Sequence, residues 1–219
     1  TPEYQKLLDY WKNGGEKPSK EFAEKALMQI ANNYKFSNVE VKNDVIDAMF
    51  RQTKEGSTKP FKNLQAPGKI SATDYDLGRI GAAYLDKDFI NLWVSDPAKR
   101  SEWNSGNQLR NDGVDIYETY DNQFYIGKTE SGEWLQYTIN VKSDKAYTFD
   151  LNYSSTNAAK IRLEDASGKQ LATFSLGSTG GKAIWKTVSA KGINLKKGEN
   201  KIRIYFENDG VNLKSFEVK

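Results

Sequence analysis

The chain of 219 residues contains no cysteine and no histidine. Those absences exclude a disulfide framework, thiolate nucleophiles, cysteine or histidine zinc sites and serine–histidine triads. Catalysis would be left to paired carboxylates, lysine, tyrosine or an oxygen-ligated metal. No apolar run comes near the roughly 18 residues that a membrane-spanning helix needs, so no span is expected. Charge of one sign is not in excess either: 32 basic and 29 acidic residues leave a net +3, spread along the whole chain. Nucleic-acid binders gather lysine and arginine on one face, and with no such block a nucleic-acid partner is not expected. The opening Thr1-Pro2-Glu3-Tyr4 has no leader character, which reads as a mature protein or a fragment.

What is present divides near residues 54–68. Before that point the apolar period is helical. Tyr4, Leu7, Leu8 and Trp11 share one face, and Phe22, Ala23, Ala26, Leu27, Ile30, Ala31 and Tyr34 share another. Ser19 is placed to cap the second helix, and Asn43 to cap a third through Val45, Ile46, Met49 and Phe50. Gly56-Ser57-Thr58-Lys59-Pro60 and Ala66-Pro67-Gly68 have the composition of a linker. The expected organisation is a helical segment over 1–55, a linker over 56–68 and a second domain over 69–219.

After the linker the period becomes two. Leu135, Tyr137, Ile139 and Val141 alternate with Gln136, Thr138 and Asn140, as in a half-buried strand. Tyr147, Phe149, Leu151 and Tyr153 form a second such run. Ile161 with Leu163, Ala172 with Phe174 and Leu176, and Ile202 with Ile204 and Phe206 form others. Gly168-Lys169 and Lys197-Gly198-Glu199-Asn200 supply turn chemistry between them. Short strands with one apolar face predict a mainly β fold, a β-sandwich with a short N-terminal helical segment. The stretch Tyr117–Lys128, rich in aromatic, glycine and polar residues, reads as a loop held by the following strand, and binding chemistry concentrates on loops so held.

Five landmarks, in order, carry a resemblance: Gly81-Ala82-Ala83-Tyr84-Leu85-Asp86; Gly113-Val114-Asp115-Ile116; Gly127-Lys128-Thr129 with Gly132-Glu133-Trp134-Leu135; Gly180-Gly181 with Trp185; and Asn212-Leu213. Residues 69–219 resemble family 6 carbohydrate-binding modules. The resemblance implies a β-sandwich jelly roll that binds glycans in a cleft among the inter-sheet loops. It also implies that Asn212 hydrogen-bonds sugar and that Tyr84 and Asp86 border the cleft. In the family, two aromatic platforms sandwich a sugar ring, and their positions here hold Lys128 and Lys182. A platform covering about 60–80 Å² of a pyranose face is worth about 1.5–2 kcal/mol at roughly 25 cal/mol per Å². Losing both costs about 10²-fold in affinity. A structural calcium implied by the family is weakened as well, because Ser71 and Thr73 stand where glutamates are expected and calcium needs several oxygen ligands. The reading is therefore no cofactor and no metal site, the alternative being a structural calcium held by Asp74, Asp76 or backbone carbonyls.

The segment Lys87–Ser105 is long for the family and carries Phe89, Trp93 and Trp103. Trp93 and Trp103 are candidate replacement platforms, against the alternative that they pin the insertion to the sandwich. Trp134 and Trp185 read as structural, and Tyr117, Tyr120 and Tyr125 as stiffening their loop. Glu130 and Glu133 are close in sequence, but Glu133 belongs to a strand-entry motif of non-catalytic modules, so no hydrolysis by this chain is expected. Asp9-Tyr10-Trp11-Lys12-Asn13-Gly14-Gly15 and Ala26-Leu27-Met28-Gln29-Ile30-Ala31 resemble the C-terminal end of a bacterial family 5 glycoside hydrolase barrel. The expected function is then a non-catalytic module of a secreted bacterial polysaccharide hydrolase, extracellular, periplasmic or on the cell surface. Its partners would be a polysaccharide or oligosaccharide, β-glucan or mannan, and a catalytic domain of the same polypeptide. The alternative is a module that braces that domain with little sugar binding.

Overall fold

The computed structural model describes residues 1–41, 46, 56–87, 104–110 and 112–219. Contacts divide the chain into two units, residues 1–49 and 50–219.

The first unit is a helical hairpin. Helix α1 (Pro2–Asn13) starts where Thr1 Oγ1 accepts from the Tyr4 amide at 3.3 Å, and it ends where Gly14 takes φ 72°. Helix α2 (Lys20–Asn33) is capped as expected by Ser19, whose Oγ accepts from the Phe22 amide at 3.1 Å. The helices contact each other, and Leu7 and Ala26 are their buried residues. Trp11, Leu27, Met28 and Tyr34 are exposed. Asn43, Val45, Met49 and Phe50 of the third helical pattern lie outside the described residues. Ile46, which is described, is exposed.

The second unit is a β-sandwich, with twelve strands among the described residues. They are β1 (Leu64–Ala66), β2 (Gly68–Ser71), β3 (Tyr84–Leu85), β4 (Ile116–Glu118), β5 (Phe124–Ile126), β6 (Trp134–Val141), β7 (Lys145–Ser155), β8 (Ala159–Asp165), β9 (Gln170–Leu176), β10 (Lys186–Leu195), β11 (Gly198–Phe206) and β12 (Val211–Val218). One sheet runs β1-β6-β11-β8-β9 with β3 also on β6; the other runs β10-β7-β12-β5-β4 with β2 also on β12. Leu64–Ala66, inside the stretch of linker composition, is thus a strand, paired in parallel with Ile139–Val141.

The alternating runs fill the space between the sheets. Tyr137, Ile139, Phe149, Leu151, Ile161, Leu163, Phe174, Ile204 and Phe216 are all buried. Tyr137 of β6 meets Phe216 of β12 edge-on at 4.9 Å, which joins the two sheets. On β6 the expectation of a polar, open outer face is corrected. Gln136 and Thr138 are buried as well, because Asp76 and Thr58 lie across them. Asp76 accepts from the Thr138 amide (2.9 Å), Thr138 Oγ1 (2.7 Å) and Gln136 Nε2 (3.1 Å). Burial raises the Asp76 carboxyl above its ordinary value, opposed by those three donors.

Candidate functional site

One end of the sandwich gathers the segments 104–110, 112–115, 127–133, 156–158, 177–185 and 207–210. Its frame is built from buried polar groups. Asn104 is the hub: its Oδ1 accepts from the amides of Gly106 (3.2 Å), Asn107 (3.1 Å) and Ile116 (3.0 Å), and its Nδ2 donates to the carbonyls of Gln108 and Arg110, both at 3.1 Å. The loop lies so close to β4 that a Cβ on Gly106 would fall 1.6 Å from the Ile116 carbonyl oxygen, so only glycine fits. Asn107 and Leu109 both take left-handed backbone, φ 54° and 59°.

Arg110 then fastens this loop to the first strands. Its guanidinium donates to the carbonyls of Thr73 (3.2 Å), Tyr75 and Asp76 (3.2 Å), and pairs with Asp112 at 2.8 Å. It lies 3.5 Å from the Tyr75 ring centroid and 4.6 Å from that of Phe61. Three carbonyls and one carboxylate satisfy this buried cation, which an unpaired charge there would not survive. Neither Asn104 nor Arg110 was legible as a frame residue in the sequence, since their partners are backbone atoms.

The expected sugar contacts that the structure describes come to this end. Asn212 is buried; its Nδ2 donates to Ser154 Oγ at 3.0 Å and to the Lys182 carbonyl at 3.4 Å. Ser154 Oγ also donates to that carbonyl, at 2.7 Å. Asn212 and Lys182 are thus brought together, with the Lys182 side chain exposed. Lys128 comes to the same end, because Thr129 Oγ1 donates to the Val211 carbonyl at 2.7 Å. Its backbone is left-handed, φ 51°, and its Nζ lies 4.0 Å from Asp115 Oδ2. Strain of this kind collects at functional positions.

Tyr84 and Asp86 are both buried and come to the same end, because β3 pairs Leu85 with Trp134 at the start of β6. The Tyr84 hydroxyl accepts from the Gly113 amide at 3.4 Å, and burial, then the Asp112 charge, pushes it well above the ordinary tyrosine range. Trp93 and Trp103, with Phe89, lie outside the described residues. Glu133 is a latch: its carboxylate accepts from the Lys87 amide at 2.9 Å and the Glu130 amide at 3.0 Å. Burial pushes it up to about 7, against the pull of those two amides.

The aromatic stretch Tyr117–Lys128, expected as a loop, is the hairpin of β4 and β5 with a turn between them. Ile116 and Ile126 point into the core, so Tyr117 and Tyr125 occupy the outer face. Tyr117 stacks on Tyr125 at 5.7 Å, and Trp185 meets Tyr125 edge-on at 5.3 Å. All three rings are half-buried, and Tyr120 at the turn is fully exposed. Tyr117 is fixed by a 2.6 Å hydrogen bond between its hydroxyl and Ser105 Oγ. Lys214 Nζ lies 4.5 Å from the Trp185 ring centroid. Sequence reasoning assigned Tyr117, Tyr120 and Tyr125 to stiffening their loop and Trp185 to a structural role. Their shared signal was the register of Tyr117 opposite Tyr125, which needs the hairpin to be known.

Calcium was implied by resemblance, and the residues here do not fit it. Ser71 Oγ and Thr73 Oγ1 lie 3.0 Å apart and bond each other. Asp74 faces Lys62 Nζ at 2.8 Å, and Asp76 is held by β6. Lys69 and Lys214 line the same depression as Ser71 and Asp74. Among the described residues no three acidic side chains converge on a cation position. No described helix is long and apolar enough to cross a membrane.

Comparison with known proteins fixes the architecture. The chain superposes on CsCBM6-3 from Clostridium stercorarium, solved with cellobiose, at TM-score 0.54 and 21% identity, covering 72% of this chain and 97% of that one. The C-terminal CBM6 of the laminarinase LamC from Zobellia galactanivorans gives 0.51 and 19%, covering 69% and 98%. A β-1,3-glucan binding CBM6 from Bacillus halodurans gives 0.50 and 17%, covering 72% and 99%. At these identities the likeness establishes the fold. Among curated protein sequences there is no significant match. The family model for carbohydrate binding module (family 6) matches residues 107–219, just over half of the chain and the part that carries the aromatic outer face, the Lys182 loop and Asn212. The chain therefore belongs to the family 6 carbohydrate-binding modules, a family of non-catalytic binding modules.

Proposed function

We propose that this module anchors a secreted bacterial polysaccharide hydrolase to β-glucan or mannan, and that its glycan lies along the ridge Tyr117–Tyr125–Trp185. The ridge is the observation that carries the reading. It offers half-exposed, mutually buttressed rings beside the loop end where Lys128 and Lys182 replace the family's platforms. Rigid rings cost little side-chain entropy on binding, and a pyranose C–H face covers them without losing hydrogen bonds. Lys182 supplies a donor to sugar hydroxyls, and Asn212 acts by fixing the Lys182 backbone. The structures solved with cellobiose or described as β-1,3-glucan binding support a β-glucan. The same reading places the protein outside the cytoplasm and free of calcium.

Calorimetric titration with hexaoses of β-1,4-glucan, β-1,3-glucan, mannan and xylan tests this. Binding in the range of about 10⁻⁵–10⁻³ M is expected for at least one β-glucan or mannan, and lost in Trp185→Ala and Tyr125→Ala variants whose melting shows them folded. Unchanged binding in both variants would remove the ridge. A bracing role is the second reading, favoured by the exposed Trp11, Met28 and Tyr34 of the helical hairpin, and it prevails if every titration is flat.

A further inference from the structure

We infer that the glycan this ridge takes carries carboxylate groups, and that Lys182 and Lys214 read that charge. The inference rests on the ridge being the sugar site. Lys214 holds its ammonium 4.5 Å from the Trp185 ring centroid, so a pyranose on that part of the ridge brings its substituents beside Nζ. Lys182 lies three residues before Trp185 in a loop whose backbone is tied by Ser154 and Asn212, and its side chain is exposed. Lys186, exposed at the start of β10, spends one proton on the Ser178 carbonyl at 3.0 Å.

Some lysines elsewhere on the sandwich are paired. Lys62 faces Asp74, Lys196 faces Asp144, and Lys219 faces both Asp150 and Glu217, each within 3.3 Å. Among the described residues Lys182, Lys186 and Lys214 have no acid within 4.0 Å. The carboxylates in their neighbourhood are already engaged. Asp121 accepts from Thr119 Oγ1 at 2.6 Å and Gln123 Nε2 at 2.8 Å, and Asp115 is buried against the Ser105 amide and Lys128. Lysines without acidic partners add little to folding. Beside a sugar platform they gain most from an anionic ligand, because charge-assisted hydrogen bonds are about twice as strong as neutral ones. A β-linked chain with carboxylates at C6 places one such group on each ring unit while keeping the apolar face that the ridge needs.

Cellohexaose and its C6-carboxylate counterpart, a β-1,4-linked glucuronate hexamer, form a matched pair for calorimetry. At low salt the acidic hexamer should bind about tenfold tighter. The gap should close in about 0.5 M sodium chloride, where exposed charges are screened. In the Lys182→Met, Lys214→Met double variant, the ratio between the two ligands should fall to about one, with the aliphatic stems retained. Equal affinity for the pair, or a preference that survives in the double variant, overturns the inference and leaves the ridge standing. Binding of inorganic polyphosphate as tight as that of the acidic hexamer also overturns it, since attraction would then be to any anion. If neither hexamer binds, it is the ridge itself that fails.

Discussion

Replacing Asn104 with alanine removes five hydrogen bonds from a side chain that touches no proposed ligand. The Ile116 amide and the Arg110 carbonyl belong to buried residues and lose their partner without water to replace it. Each such orphan costs about 1–3 kcal/mol, while the three groups nearer the surface cost about 0.5 kcal/mol each. The expected destabilisation is about 3.5–7.5 kcal/mol, a large part of what a domain of this size has to lose. Urea unfolding measures it, as a lower midpoint with an unchanged slope. Hydrogen exchange localises it, with the Ile116 amide losing protection ahead of β7 and β12. Glycan binding should weaken in parallel, because the loop carries Ser105, which orients Tyr117. A cost under about 1 kcal/mol, or unchanged protection at Ile116, refutes the view that one amide side chain holds this end of the sandwich.

Lys128→Gly should raise stability by about 0.5–1 kcal/mol, because φ 51° strains any side chain. Thermal melting reads this, and a fall would show that Lys128 is worth more to the fold than its strain. Glu133 titrates at about 7 in the folded protein against an ordinary 4.5, so between those values the unfolded chain has released a proton that the folded chain keeps. Stability should therefore fall as pH rises across that window, and Glu133→Gln should flatten the slope. Parallel urea curves for wild type and variant at each pH test it, and identical pH slopes would sink it. Adding calcium or a chelator should move the melting temperature by less than about 1 °C, since a ligand absent from both states cannot shift it. A rise of several degrees would restore the site at Ser71 and Thr73.

Much of the architecture was legible in the residues alone. Alternation in 135–141, 147–153 and 202–206 specified strands with a buried side, because a period of two puts every second residue on one face. Ser19 announced the start of α2 for an equally local reason, an oxygen within reach of a free amide. The landmarks from Gly113 to Asn212 carried the family. What failed was whatever depends on a second segment. The outer side of β6 looked solvent-facing until Asp76 and Thr58 were found across it. Tyr117–Lys128 looked like a loop because its two strands are only three residues long.

The chain by itself thus determined the class of fold and the lack of thiol and imidazole chemistry. Tertiary structure decided which rings share an outer face, which lysines have no acid within 4.0 Å, and which asparagine and arginine hold the loop end together. Those are relations between atoms distant along the chain. Local pattern records only which face a residue takes, and packing alone selects its neighbour there.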